Sequence, residues 1–225
     1  MNLTTLLANA KNSPSGSLTS SGQSAATTSK VSASSSPLAK AQDRIQKEAD
    51  STQAQLSKIG LLKSSIAGLQ TQSKTLANLP ANASADAVTT AMASFFNAYN
   101  FTVTTAKSAS GASEGLAGAQ GARKVLTDIR RTLSADTEVS AALKKAGLKI
   151  NADGTLLQDA KVFAEALTKD PSALRSALKL IGSLTGVTTD RELASTGNLE
   201  TTVAGLNQRK AQLSAQQKAI KAYTS

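Results

Sequence analysis

The chain has 225 residues, 25 Lys and Arg against 15 Asp and Glu, a formal net charge of +10, and no histidine or cysteine. These absences exclude disulfides, thiol catalysis and the commonest metal ligands and general bases, so we expect no enzyme activity, no metal site and no cofactor. Aromatic residues make up only 3% of the chain. A core must therefore be built from Leu, Ile, Val and Ala.

The N-terminal segment, residues 1–36, is predicted to be a disordered tail. Residues 13–36 contain 11 Ser and 3 Thr among 24 residues and almost no bulky apolar side chains. Such a composition buries too little surface to offset the entropy of ordering. The tail is either a plain linker or an exposed export or tethering segment. The opening "MNLTTLLANAK" lacks the pattern of a cleaved signal peptide, and no apolar run is long enough to insert into a membrane.

A long amphipathic helix is predicted for about residues 37–79, within a core domain that covers residues 37–225. Ser36-Pro37 suits a helix start and Pro80 a helix end. Between them, apolar or small residues recur every seven positions, at Leu38, Ile45, Thr52, Ile59 and Ile66, and Leu56 lies on the adjoining line. This period is typical of a helix with one buried face.

An inner subdomain is predicted for about residues 84–190, and it begins with two helices. The first carries Val88, Met92, Phe95, Tyr99 and Val103 at helical spacing, and the second carries Val125, Ile129 and Leu133. The aromatic cluster around Phe95 and Tyr99 is expected to form core, which is the usual role of such clusters.

A β-hairpin followed by two helices is predicted for residues 148–181. Ile150 and Leu156 lie on strands that flank Asp153-Gly154, a dipeptide typical of tight turns. Asp159 is expected to cap the helix that carries Phe163, and Asp170-Pro171 the helix after it. We expect Ile150, Leu156 and Phe163 to lie in the core. The turn is not a calcium loop, because Lys149 and Ala160 stand where the first and last ligands belong.

A second long helix is predicted for about residues 198–222. Leu199, Leu206, Leu213 and Ile220 share one heptad position, while Val203, Lys210 and Gln217 share the alternate one. This spacing is a coiled-coil seam, although a polar one. Pairing the two long helices antiparallel explains their heptads better than two separate surface helices do. The predicted coiled-coil interface is Ile45, Leu56, Ile59, Ile66, Leu199, Val203, Leu206, Leu213 and Ile220.

The positive charge does not predict a nucleic-acid site. Basic residues are scattered, and the few adjacent pairs, such as Arg123-Lys124 and Arg130-Arg131, have no aromatic residues interleaved with them. A nucleic-acid platform combines both features. We therefore interpret the charge as a solvated basic surface.

Three stretches resemble the flagellar filament cap family, also called flagellar hook-associated protein 2. "SPLAKAQDRIQKEADSTQAQLSKIGLLKSSIAGLQTQSKTL" is similar to its first coiled-coil helix, and "FFNAYNFTVTTAKSAS" to its "F..AYN" helix. "ALKKAGLKINADGTLLQDAKVFAEALTKDPSAL" is similar to its strand, "DGTL" turn and helix. The family inserts large β domains between the first two stretches. Here only "PANASADA" separates Pro80 from Val88, so the resemblance indicates a shortened form.

The resemblance implies a mainly α fold: an antiparallel coiled coil of the N- and C-terminal long helices with a small helical subdomain containing one β-hairpin. It also implies a structural or assembly protein of the bacterial flagellum, filament-cap-like or hook-associated. Such a protein is exported by the flagellar type III apparatus, forms homo-oligomers and contacts flagellin or hook-junction proteins. The alternative is a cytoplasmic regulator or export-stage binding protein that retains the coiled-coil module.

Overall fold

The structure, a computed structural model, describes residues 37–111, 117–134 and 136–224. The predicted disordered tail, residues 1–36, lies outside the described residues. In chain order the elements are α1 (Pro37–Ala77), α2 (Ala85–Gly111), α3 (Ala117–Ser134), α4 (Thr137–Lys145), β1 (Leu148–Ile150), β2 (Leu156–Gln158), α5 (Ala160–Lys169), α6 (Pro171–Leu193) and α7 (Asn198–Thr224). The predicted fold class is confirmed: long helices pack on one another and one antiparallel hairpin accompanies them.

The chain divides into two compact units. Of the described residues, the terminal unit comprises residues 37–48 and 213–224, and the inner unit lies within Ala49–Gln212. The predicted subdomain of about residues 84–190 falls within the inner unit, which also takes in most of α1 and the first half of α7.

The core of the inner unit is aliphatic, with two aromatic rings at its centre. The rings of Phe95 and Tyr99 lie one turn apart on α2, with their centroids 6.2 Å apart, and both side chains are fully buried. Around them pack the buried side chains of several helices, among them Ile59, Leu62, Ile66 and Leu69 of α1, Val125, Ile129 and Leu133 of α3, and Leu174, Leu178 and Ile181 of α6.

The hairpin has the predicted strands and turn. Leu148 pairs with Gln158, Lys149 with Leu157 and Ile150 with Leu156. Gly154 has φ of +89°, a conformation that glycine adopts without strain. The carboxylate of Asp153 accepts hydrogen bonds from the backbone N–H and the hydroxyl of Thr155, at 3.0 and 2.6 Å. These bonds and an ion pair with Lys107 lower the pKa of Asp153 to about 2, so the turn is negatively charged at neutral pH.

Helices α5 and α6 begin at the predicted capping residues. The side chain of Asp159 accepts from the N–H groups of Lys161 and Val162, at 3.0 and 3.1 Å. The side chain of Asp170 accepts from Ala173 N–H at 2.9 Å, and Pro171 follows it at the first turn of α6. Each cap satisfies backbone donors that have no partner inside the helix.

Helices α1 and α6 approach closely at a glycine. A Cβ atom placed on Gly182 would lie 2.6 Å from the carbonyl oxygen of Ser73 and 2.7 Å from the backbone nitrogen of Ala77. The backbones are therefore in direct contact there. One turn further along α6, Gly186 has ordinary room, since its Cβ would lie 3.9 Å from Ser73 Cβ.

Candidate functional site

The site residues that the sequence analysis singled out lie on helices and on the hairpin. Among residues 37–111, 117–134 and 136–224, no group of three or more acidic, histidine or cysteine side chains is placed to hold a metal ion. Over the same residues, no helix is both long enough and apolar enough to cross a membrane. The predicted coiled-coil interface residues divide between the two units.

In the inner unit, the predicted interface residues of α1 are already covered. Ile59 and Ile66 have no exposed surface, and Leu56 is half-buried. On α7, Leu199 and Leu206 are buried and Val203 is half-buried. This stretch of the seam is covered within the chain and is not free to receive another molecule.

In the terminal unit, Ile45 and Leu213 are buried, at 7% and 0% exposure, while Ile220 is half-buried. A cavity of about 260 Å³ lies between the two helices of this unit, lined largely by polar side chains: Gln42, Gln46, Ser214, Gln217, Lys218 and Lys221, together with Ile45 and Ile220. Apolar side chains are thus few along the seam in this unit.

Each unit holds a polar contact between α1 and α7. In the terminal unit, Gln217 Nε2 donates to Gln46 Oε1 at 2.9 Å. In the inner unit, Lys63 forms an ion pair with Glu200. Of the two polar residues on the predicted seam, Gln217 is thus paired with Gln46, whereas Lys210 is exposed.

The residues predicted to form core occupy the inner unit. Phe95, Tyr99, Leu156 and Phe163 are buried, and Ile150 is half-buried against the same core. The Tyr99 hydroxyl has no hydrogen-bond partner among the described residues. Burial raises the pKa of this phenol, which therefore stays neutral.

Asn100 fixes the hairpin to α2, a role that the sequence analysis missed. Its Nδ2 donates to the carbonyl oxygen of Leu156 at 3.0 Å, and its Oδ1 accepts from the N–H of Leu156 at 2.6 Å. Both backbone polar groups of one β2 residue are thereby satisfied by one side chain. The only signal in the sequence was the position of Asn100 directly after Tyr99 in the "AYN" stretch.

A buried carboxylate at the end of α6 was also missed. The side chain of Glu192 is 1% exposed and accepts from Asn198 Nδ2 at 3.1 and 3.0 Å. Asp128 of α3 lies beside it, with its Oδ2 3.4 Å from the same Asn198 nitrogen and 3.6 Å from Arg191 Nη2. This cluster joins α3, α6 and the start of α7.

The cluster makes stability depend on pH. Burial, reinforced by the neighbouring Asp128 carboxylate, raises the pKa of Glu192 above its ordinary value of 4.5, while Asn198 and Arg191 oppose the rise. The folded chain therefore holds the Glu192 proton to higher pH than the unfolded chain does. Its contribution to stability is present below about pH 4.5 and is lost as the pH rises through the raised pKa.

The packed long helices and the small hairpin define a class: mainly helical proteins in which long helices pack on one another. A family model described as flagellar hook-associated protein 2 C-terminus matches residues 67–224, well over half of the chain. The chain belongs to this family, and the resemblance described above is confirmed.

The family is a structural family of the bacterial flagellum. Residues 78–84 alone connect α1 to α2, so no large domain is inserted there and the shortened form is confirmed as well. A search of curated proteins found no match, and a search of solved structures found none either.

Proposed function

We propose that this chain is a filament-cap-like or hook-associated component of the bacterial flagellar axis. It acts by associating with copies of itself and by contacting flagellin or hook-junction subunits, and it reaches that position by export without a cleaved signal peptide. The observation that carries the proposal is the family match over residues 67–224. The helical fold supports it. No outer domain is inserted between α1 and α2, so contacts with other subunits would be made by the packed helices.

The burial pattern narrows the surfaces available for this function. The stretch of α1 around Ile59 and Ile66 is covered by the chain itself, so contacts with other subunits must use the outer faces of the helices. In the terminal unit, the half-buried Ile220 and the exposed Tyr223, at 74%, leave apolar surface for a partner. A thin apolar seam of this kind gains much of its stability from further packing.

The test is the destination of the chain in the bacterium. We expect an epitope-tagged chain to be recovered in sheared flagella or in culture supernatant, and a deletion strain to have altered motility or filament length. A cytosolic enzyme serves as the marker for lysis. Recovery in the cytosol alone, together with normal motility and filaments in the deletion strain, would refute the axial role and favour the cytoplasmic regulator.

A further inference from the structure

A groove of about 650 Å³ crosses the hairpin between the end of α4 and the start of α5. It lies wholly within the inner unit. Its lining combines aliphatic side chains with lysines. We name it the hairpin groove and define it by Lys144, Lys149, Leu157, Asp159, Lys161 and Val162.

Two large apolar side chains of the hairpin groove are exposed. Leu157 of β2 is 55% exposed and Val162 of α5 is 41% exposed. Leu156, the preceding residue of β2, is buried, and neighbouring residues of a strand point to opposite faces. Leu157 and its cross-strand partner Lys149 therefore share the face of the hairpin that points away from the core. The groove thus has an aliphatic floor that a partner can cover.

The rim of the hairpin groove is positively charged. Lys144, Lys149 and Lys161 line it, and Lys145 follows Lys144 at the end of α4. All four side chains are exposed. Within the part of the chain that the structure describes, none of these four lysines forms an ion pair. Their charges are therefore available to a partner.

The acidic residues beside the groove already have partners. The carboxylate of Asp159, which lines the groove, accepts from the N–H groups of Lys161 and Val162 as the cap of α5. Glu165, one turn further along α5, forms an ion pair with Lys169. Neither carboxylate neutralises the ammonium groups of the rim, so the groove keeps a net positive charge.

Gly147 holds the two sides of the groove together. Its carbonyl oxygen accepts from the N–H of Asp159 at 2.7 Å. A Cβ atom placed on Gly147 would lie 2.6 Å from the carbonyl oxygen of Asp159 and 3.0 Å from the backbone nitrogen of Phe163. The end of α4 and the start of α5 are thus joined backbone to backbone, and the groove is formed before any partner binds. Preformed sites bind at a lower entropic cost.

We propose that the hairpin groove binds an acidic peptide segment of another protein. An aliphatic side chain of the segment packs on Leu157 and Val162, and its carboxylates lie along the lysine rim. Charge complementarity of this kind selects an acidic partner. A second copy of the chain does not fit this description, because its net charge of +10 repels the rim.

Other occupants fit the groove less well. Residues 1–36 of the chain contain no Asp or Glu, so they do not supply an acidic segment. The lining residues include no aromatic side chain on which the bases of a nucleic acid could stack. Peptide binding at the groove goes beyond the proposed function and does not depend on it, since it is measured on the purified chain.

The experiment is fluorescence anisotropy with the purified full chain and a labelled peptide of repeated Leu-Glu-Glu units. We expect saturable binding that weakens as salt is added, because salt screens the attraction to the lysine rim. Two peptides of the same length are matched controls. Repeats of Leu-Gln-Gln lack the charge, and repeats of Ala-Glu-Glu lack the large aliphatic side chain. Each should bind at least about tenfold more weakly than the Leu-Glu-Glu peptide.

Paired variants locate the binding on the chain. Lys149→Glu should weaken it at least about tenfold, whereas Lys58→Glu, the same change at an exposed lysine of α1, should alter it little. Leu157→Ser should also weaken it about tenfold, because the apolar contact is lost. Val187→Ser is its control, at an apolar residue of α6 that is 63% exposed. Thermal unfolding should show that all four variants fold, since each changes an exposed side chain.

Several results would overturn the proposal. One is the absence of saturable binding of the Leu-Glu-Glu peptide at chain concentrations up to about 1 mM. Others are equal binding by the two members of either variant pair, or binding of either control peptide as tightly as the Leu-Glu-Glu peptide. Displacement of the bound peptide by oligothymidine or by phosphatidylserine vesicles, at lower concentrations than by unlabelled peptide, would assign the groove to a nucleic acid or a membrane surface instead.

Discussion

Alanine at Gly182 should destabilise the chain because it forces α1 and α6 apart. The new Cβ would lie 2.6 Å from the Ser73 carbonyl oxygen, inside the 3.0 Å limit that Cβ contacts essentially never cross, and the atoms it meets belong to a backbone that cannot rotate away. Overpacking of a core costs about 1–3 kcal/mol, and rigid backbone neighbours place this site at the upper end. Replacing a helical glycine returns about 1 kcal/mol. The net loss is therefore about 2 kcal/mol.

Gly186→Ala is the matched control on the same helix. Its Cβ has ordinary room, so the substitution should stabilise α6 by about 0.5–1 kcal/mol. Urea unfolding followed by circular dichroism measures both variants, which should differ by about 3 kcal/mol in the free energy of unfolding. Equal stability of the two variants would show that α1 and α6 do not touch at Gly182.

Three further predictions concern single contacts. Glu192→Gln keeps a hydrogen-bond acceptor for its neighbours but carries no charge. The free energy of unfolding of this variant should match that of the parent near pH 4.5 and exceed it as the pH rises, by at most about 1.4 kcal/mol per pH unit. A difference that stays constant with pH would contradict the buried carboxylate. Asn100→Ala should lower the free energy of urea unfolding by about 1–2 kcal/mol, because two backbone groups of the hairpin lose their partner. Asn97→Ala, at an exposed residue of the same helix, should change it by no more than about 0.5 kcal/mol. Leu213→Ala should lower the free energy of unfolding by about 2–4 kcal/mol, whereas Gln212→Ala, at an exposed residue, should lower it by at most about 0.5 kcal/mol. Equal effects would mean that the coiled-coil seam is misplaced.

Local chemistry made much of the fold predictable. Asp159 and Asp170 cap helices because a carboxylate just before a helix satisfies its first N–H groups, and this depends only on a few neighbouring residues. The long helices were predictable for a similar reason, because a heptad period in the sequence indicates a helix with one buried face.

Contacts between distant residues were not predictable in this way. Asn100 and Leu156 are 56 positions apart, and an asparagine within a helix gives no sign of the strand it will meet. From the sequence alone, Glu192 is expected at the surface, as a charged residue at a helix end, but its side chain is buried in the fold. The close approach of α1 and α6 at Gly182 could not be predicted either. Periodicity indicates which side of a helix is buried but not how near the backbone of the next helix lies.

The Asn100 side chain has a consequence for the outer edge of the hairpin. A two-stranded hairpin leaves the outer edge of each strand open, and an open edge can pair with a strand of any other molecule. The amide of Asn100 presents one acceptor and one donor to Leu156, as a third strand would, and so closes part of the β2 edge from within. The N–H and carbonyl groups of Leu156 are thereby unavailable for pairing with a strand of another molecule.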